Sequence, residues 1–154
     1  MQVPSAEPLS PLELGAWRGM LRVHARLVRE LDHELRQEHG LPLHAYEVLL
    51  VLEDAPEGRL RMSELADAVL LSQSGLTRLV DRLAEAGLVH RSRCEDDGRG
   101  LLAHVTPLGR ARLEEARATH LGGVRERFLA CLDEGELGAL RAVWERVLPG
   151  ATAE

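Results

Sequence analysis

Residues 70–89, "LLSQSGLTRLVDRLAEAGLV", decide the fold. On a 3.6-residue period Leu76, Leu79, Val80 and Leu83 share one stripe, while Gln73, Ser74, Thr77, Arg78 and Arg82 fall on the other side. Ser72 stands just ahead of the stripe, where a side-chain oxygen caps a helix N-terminus. Upstream, "RLRM" (59–62) has the length of a small strand, and Ser63 caps or opens a helix through about Leu70, with Leu65, Ala66 and Val69 facing inward. Two short helices joined by a tight "LLSQ" connection predict a helix-turn-helix, although the usual turn glycine is missing.

Downstream the period changes. "LVHRSRCEDDGRGLLAHVT" (88–106) reads as an apolar-polar strand, a charged glycine-containing tip and a second strand ending near Val105, which is a hairpin. A hairpin directly behind a helix-turn-helix is a wing, and a basic residue at its tip reaches a second groove. Thr106 followed by Pro107 is a helix start, and the expected helix runs to about Leu132 with Leu113, Leu121, Val124 and Phe128 on its apolar side. Asp133 begins a final helix carrying Leu137, Leu140, Trp144 and Val147. At the other end, a long helix is expected over about 11–38, with Trp17, Met20, Leu21, His24, Leu27, Val28, Leu31 and Leu35 as its buried stripe. Gly40 and Pro42 stop it, and a second helix follows at 43–54.

The expected architecture is therefore mainly α: a winged helix-turn-helix with long N- and C-terminal dimerisation helices and a small β-wing. It forms a single domain over 1–154, with dimerisation helices at 11–42 and 107–148 and a DNA-binding lobe at 43–106 whose wing covers about 88–106. The terminal helices expose more apolar surface than the small middle can cover, so a helical homodimer is the economical arrangement.

Composition agrees. The chain has 154 residues and is 45% hydrophobic with only two Trp, one Tyr and one Phe, which suits helices packed by aliphatic side chains. The net charge of −6 excludes a generally basic surface but not a local basic footprint. Residues 72–93 carry Arg78, Arg82, Arg91 and Arg93 against Asp81 and Glu85. All 19 cationic side chains are arginine, so each is a planar, bidentate donor. Cys94 and Cys131 form no CxxC pair, and no leader or long apolar run is present, so a reducing, cytoplasmic location is expected. The seven histidines have no i, i+4 pair, so neither a metal nor another cofactor is expected. Without G-x-S-x-G, a Walker loop or a Cys/His/Asp cluster, no enzyme is expected.

The first turn of a helix presents free N–H groups, so Ser72, Gln73 and Ser74 suit phosphate and base-edge contacts. Gln73 can pair bidentately with adenine, Thr77 can offer its hydroxyl or methyl, and Arg78 or Arg82 can grip guanine or phosphate. Arg93 and Arg99 extend this set onto the wing, where Arg99 suits an electronegative minor groove and Asp97 orients it. A winged module that binds protein rather than DNA is the alternative, favoured by the acidic total charge.

"LRMSELADAVLLSQSGLTRLVDRLAEAGLVHR", then "DDGRG" and "VTPLGR", resemble the MarR (multiple antibiotic resistance regulator) family of winged-helix transcription factors. The resemblance covers about residues 12–148. Its D-x-R wing pattern falls on Asp97 and Arg99, and its L/V-T-x-x-G pattern on Val105, Thr106 and Gly109. It implies a triangular homodimer on a palindromic operator of double-stranded DNA, usually as a repressor, with small anionic or aromatic effectors bound between dimerisation helices and reading lobe. A urate-responsive branch places a Trp, an Asp and two Arg there. Trp17, Arg78 and Arg91 match, but the Asp position holds Glu47; with Tyr46 these are the candidate effector residues for a purine-like ligand. Some members sense oxidants through cysteine near the first helix; here the only cysteine near the reader is Cys94 on the wing strand, flanked by Arg93 but also by Glu95, Asp96 and Asp97, which oppose a thiolate.

Overall fold

The computed structural model describes residues 7–95 and 100–153. Among them the chain forms α1 (Pro11–His39), α2 (Leu43–Asp54), β1 (Arg59–Arg61), α3 (Met62–Ala68), α4 (Gln73–Glu85), β2 (Val89–Arg93), β3 (Leu101–Val105), α5 (Pro107–Arg127) and α6 (Glu134–Val147). The three strands make one antiparallel sheet in the order β1-β3-β2. No helix among the described residues is long and apolar enough to cross a membrane.

Local chemistry places most boundaries. Ser10 and Glu13 form a reciprocal capping box at the start of α1, and Gly40 ends it at a positive φ of 61°, where a side chain would be strained. The Asp32 carboxylate accepts the Leu43 N–H at 2.9 Å, giving α2 a cap borrowed from α1. Although partial burial of Asp32 opposes ionisation, this bond and Arg36 hold its carboxyl below the usual range. α3 begins one residue before the expected Ser63: Arg61 is its N-cap, and the Glu64 carboxylate takes the Arg61 N–H at 3.1 Å.

The core lies around α2. Leu35, Tyr46, Leu49, Leu52, Leu65, Leu76, Val80 and Leu113 are fully buried, bringing together α1, α2, α3, α4 and α5. The apolar stripe of α4 is buried as its period predicts. The stripe of α1 is buried only at Leu31 and Leu35; Trp17 (53%), Met20 and Leu21 stay exposed on this protomer. α6 has no buried residue at all.

Two glycines mark close approaches. A Cβ on Gly109 would sit 2.1 Å from the Leu88 carbonyl oxygen, and one on Gly123 would sit 2.6 Å from a Glu34 carboxylate oxygen and 2.7 Å from Leu31. Beside Gly123, Arg127 locks α5 to α1 by bonds of 3.0 Å to Glu30 and 2.6 Å to Glu34. α5 does not continue to Leu132: it ends at Arg127, Phe128 leaves helical geometry at φ −121°, and Leu129–Cys131 form a separate 3₁₀ turn. Nothing in the local sequence marks that break; it follows the Arg127 clamp.

Candidate nucleic-acid interface

α4 begins where Ser72 Oγ accepts the Gly75 N–H at 3.1 Å, which leaves the preceding N–H groups of the first turn aimed at solvent. A missing cap of this kind costs about 1 kcal/mol. The connection from α3 is tight because Leu70, in a turn that lacks the usual glycine, takes a left-handed conformation, φ 55°. Its side chain is 91% exposed, so no burial compensates the backbone strain.

Gln73, Ser74, Thr77 and Arg78 project from the exposed side of α4. Thr77 Oγ1 donates to the Gln73 carbonyl at 2.8 Å, which turns its methyl group outward. Neither Gln73 nor Arg78, Arg82 or Arg93 has a side-chain hydrogen bond or ion pair among the described residues. Unengaged planar donors on a helix start are the groups that base edges and phosphates accept from. Arg82 lies at the border of this surface, two turns on from Gly75, and faces the junction of α1 and α2. Arg99 and Asp97 lie outside the described residues, and Arg93 is the last residue of β2 before that tip.

The wing sheet is anchored to α4 and α5. Arg91 on β2 forms an ion pair with Asp81 on α4. Thr106 ties three segments: its N–H donates to Leu88 O at 3.1 Å, its hydroxyl donates to Gly87 O at 2.6 Å, and the same oxygen accepts the Gly109 N–H at 3.0 Å. Thr106 and Gly109 therefore form the joint between the reader and α5, and only a glycine fits against the Leu88 carbonyl.

The candidate effector residues do not converge within the protomer. Tyr46 is 2% exposed, with its ring 4.5 Å from that of His120; burial raises the Tyr46 hydroxyl pKa and lowers that of His120. Glu47 bonds His44 at 3.0 Å, Arg91 is committed to Asp81, and Trp17 stands 14 residues up α1 from Leu31, about 21 Å at helical rise. A different set does converge. Between the α1–α2 junction and α4 lie two adjoining clefts of about 330 and 400 Å³ that share Pro42, Leu79 and Arg82. Arg36 and His44 border the first, Arg112 and Leu108 the second. Periodicity could not have found this set, because its members come from four helices and a loop. Cys94 is buried and Cys131 exposed, both as free thiols.

Comparison with known proteins bears on these observations. A MarR family model matches residues 39–100. Over the whole fold, the regulator AbsC from Streptomyces coelicolor, described as a MarR family transcriptional regulator, superposes with a TM-score of 0.85 at 34% identity, covering 92% of this chain and 95% of that one. Sco3205 from the same organism, a MarR family regulator solved in complex with DNA, gives 0.86 at 30% identity and covers 96% and 95%. Among curated proteins, the transcriptional repressor YetL of Bacillus subtilis is 33% identical over 85 residues, 55% of this chain and 51% of that protein, so the match spans about half of YetL. A putative regulatory protein for the hcr operon of Thauera aromatica is 28% identical over 152 residues, 94% of this chain and 88% of that one.

Proposed function

The chain belongs to the MarR family of transcriptional regulators, and from that membership we propose that it binds a palindromic operator as a homodimer, represses, and lets go when a small aromatic anion enters the cleft beside Arg82. The observation that carries the reading is the front of α4: a Ser72-capped helix start with Gln73 and Arg78 unengaged beside it. Whole-length similarity to a regulator solved with DNA supports the same orientation of that helix. Gln73, Ser74, Thr77 and Arg78 read the major groove, Ser72 offers backbone and hydroxyl contacts to phosphate, and Arg93 and Arg99 serve the minor groove with Asp97 as support. All of 1–154 acts as one winged-helix domain whose outer helices dimerise.

The second protomer covers the apolar side chains that this one leaves in water. Trp17, Met20 and Leu21 on α1, Leu121 on α5, Leu129 after it and Val147 at the end of α6 are exposed and belong to the terminal helices. Fully burying a side chain of this size is worth about 1.5–3 kcal/mol, and a second copy supplies matching helices by two-fold symmetry. The symmetric pair presents its two α4 helices to half-sites about 10 bp apart.

For the effector, the cleft beside α4 has an apolar floor of Pro42 and Leu79 with Arg82 at its rim and Arg36 and Arg112 nearby. That chemistry suits a flat carboxylate better than a neutral purine. Occupancy shifts α4 relative to α1 and so discriminates between two DNA-binding states. A purine held by Trp17, Tyr46, Glu47, Arg78 and Arg91 is the second reading, favoured by the resemblance to the urate-responsive branch.

Fluorescence anisotropy on DNA from upstream of its own gene tests the reading. Specific binding that weakens with salt is expected, with Gln73→Ala relaxing preference at one base pair at a cost of about 1–3 kcal/mol. Equal affinity for scrambled duplex overturns the regulator reading. Salicylate-like acids should release the wild type but not Arg82→Met; release by urate instead would transfer the effector to the Trp17 set.

A further inference from the structure

The root of the wing holds a cationic pocket apart from the reading helix. It is a concavity of about 320 Å³ lined by Arg59, Arg61, Ser92, Arg93, Glu95 and Leu102, with buried Cys94 behind it. Three elements build it. β1 is an edge strand, and Arg59 and Arg61, two residues apart, point to the same face of it. Arg61 is registered against Leu102, and Leu102 against Ser92, so the second arginine and the serine hydroxyl share one row across the sheet. Arg93, paired with Leu101, occupies the next row, so its side chain leaves from the opposite face of the sheet.

We propose that this pocket seats a backbone phosphate of the bound duplex, gripped by Arg59 and Arg61. The inference rests on the DNA-binding reading above. A wing tip that enters a minor groove only about 6 Å wide brings the strands behind it against the phosphates on the groove's rim. Arg61 and Arg93 lie within one or two rows of the tip, about 3–7 Å along the strands, so the pocket is at rim depth. Its polar lining matches a phosphodiester: guanidinium forks bind phosphate oxygens in pairs, and Ser92, whose hydroxyl pairs with His104 Nε2 at 2.7 Å, donates to phosphate when the imidazole carries the Nε2 proton.

The pocket also has a built-in competitor. Glu57 forms an ion pair with Arg59, and the two side chains are 71% and 45% exposed. An exposed pair of this kind is weak and yields to a phosphate. Glu95 adds a second carboxylate at the lip, which disfavours small free anions and favours a polyanion held in place by contacts elsewhere.

The test uses the full chain and a duplex taken from its footprint upstream of its own gene. In wild type, replacing the phosphates that border the outer minor groove with neutral methylphosphonates should weaken binding several-fold. Arg59→Ala/Arg61→Ala should bind the native duplex about tenfold more weakly, with a slope of log affinity against log salt shallower by about 2. The double variant should not respond to the neutral phosphates. Glu57→Gln, which removes the Arg59 ion pair, should bind more tightly, a gain that unfolding could not produce. If the double variant keeps the wild-type salt slope and its sensitivity to methylphosphonates, the arginines only guard a sheet edge and the proposal falls. Wild type that binds no duplex overturns the DNA reading itself. Wild type whose base preference depends on Gln73 while the double variant is unchanged overturns the phosphate seat alone.

Discussion

The reading lobe and the terminal helices of this chain spend the same leucine-rich composition in opposite ways. In the lobe, α2, α3 and α4 bury their apolar faces against one another and against α5, and every junction has a specific polar bond: Asp32 to Leu43, Ser72 to Gly75, Thr106 to Gly87 and Gly109. In the terminal helices, α6 buries nothing, and the first half of α1 keeps Trp17, Met20 and Leu21 in solvent. The lobe buries its apolar faces within a single chain, whereas the arms leave theirs in solvent, where the proposed second copy would cover them. In the proposed dimer the same division serves function, because a reader must hold its shape while the arms would set its spacing from a second reader.

The contrast is broken most severely inside the lobe. Gly109→Ala drives a Cβ to 2.1 Å from the Leu88 carbonyl, where backbone must move, and should cost about 3 kcal/mol or more in urea unfolding. A loss below 1 kcal/mol would mean that the joint with α5 is loose. In the arms, Leu21→Glu with Val147→Glu places charges on surfaces already exposed in the protomer. Sedimentation should then show a folded monomer whose operator affinity is lower by roughly 100-fold or more, since the two half-sites no longer act together. An unfolded product would show instead that the lobe needs the arms.

Smaller effects sharpen the picture. Leu70 pays for the helix-turn-helix connection with a left-handed backbone and no burial. Leu70→Gly should therefore stabilise the fold by about 0.5–1 kcal/mol, raising the urea midpoint without changing its slope. Unchanged or lowered stability would place the strain elsewhere. Acid should act more weakly still and in one direction. Burial lowers the pKa of His120, and burial, then His90 and Arg59, lower that of His104, in each case below the ordinary 6.5. The folded state thus favours the neutral ring, so stability is full above pH 6.5 and declines as pH falls from there toward the lowered values. Melting temperatures should drop between pH 7.5 and 5.5 and drop less in His104→Gln; equal slopes would remove the wing histidine from the account.

Legibility from sequence followed the range of the forces involved. α2 is found at Leu43–Asp54 as its punctuation indicates, and Ser72, Thr106–Pro107 and Asp133 begin helices where their side chains cap the next turn. The D-x-R and V-T-x-x-G patterns carry the resemblance to the family by sequence alone. Ser63, expected to cap or open α3, lies one residue inside it, because the cap is Arg61, whose N–H the Glu64 carboxylate takes. Trp17, Tyr46, Glu47, Arg78 and Arg91 are grouped by the resemblance to the urate-responsive branch; in the protomer Tyr46 is core, Glu47 and Arg91 have ion-pair partners and Trp17 lies far along α1.

What the sequence by itself determined is what a few neighbouring residues decide: the period of α4, its cap, the strand–tip–strand order of the wing and the helices on either side. Only tertiary structure decided that α5 stops at the Arg127 clamp, that Leu70 bears the turn, that Gly109 abuts a carbonyl and that Arg82, Pro42 and Leu79 share a cleft. Capping and periodicity act within one or two turns of chain, whereas close packing and ion pairing join residues tens of positions apart, whose approach no local pattern encodes.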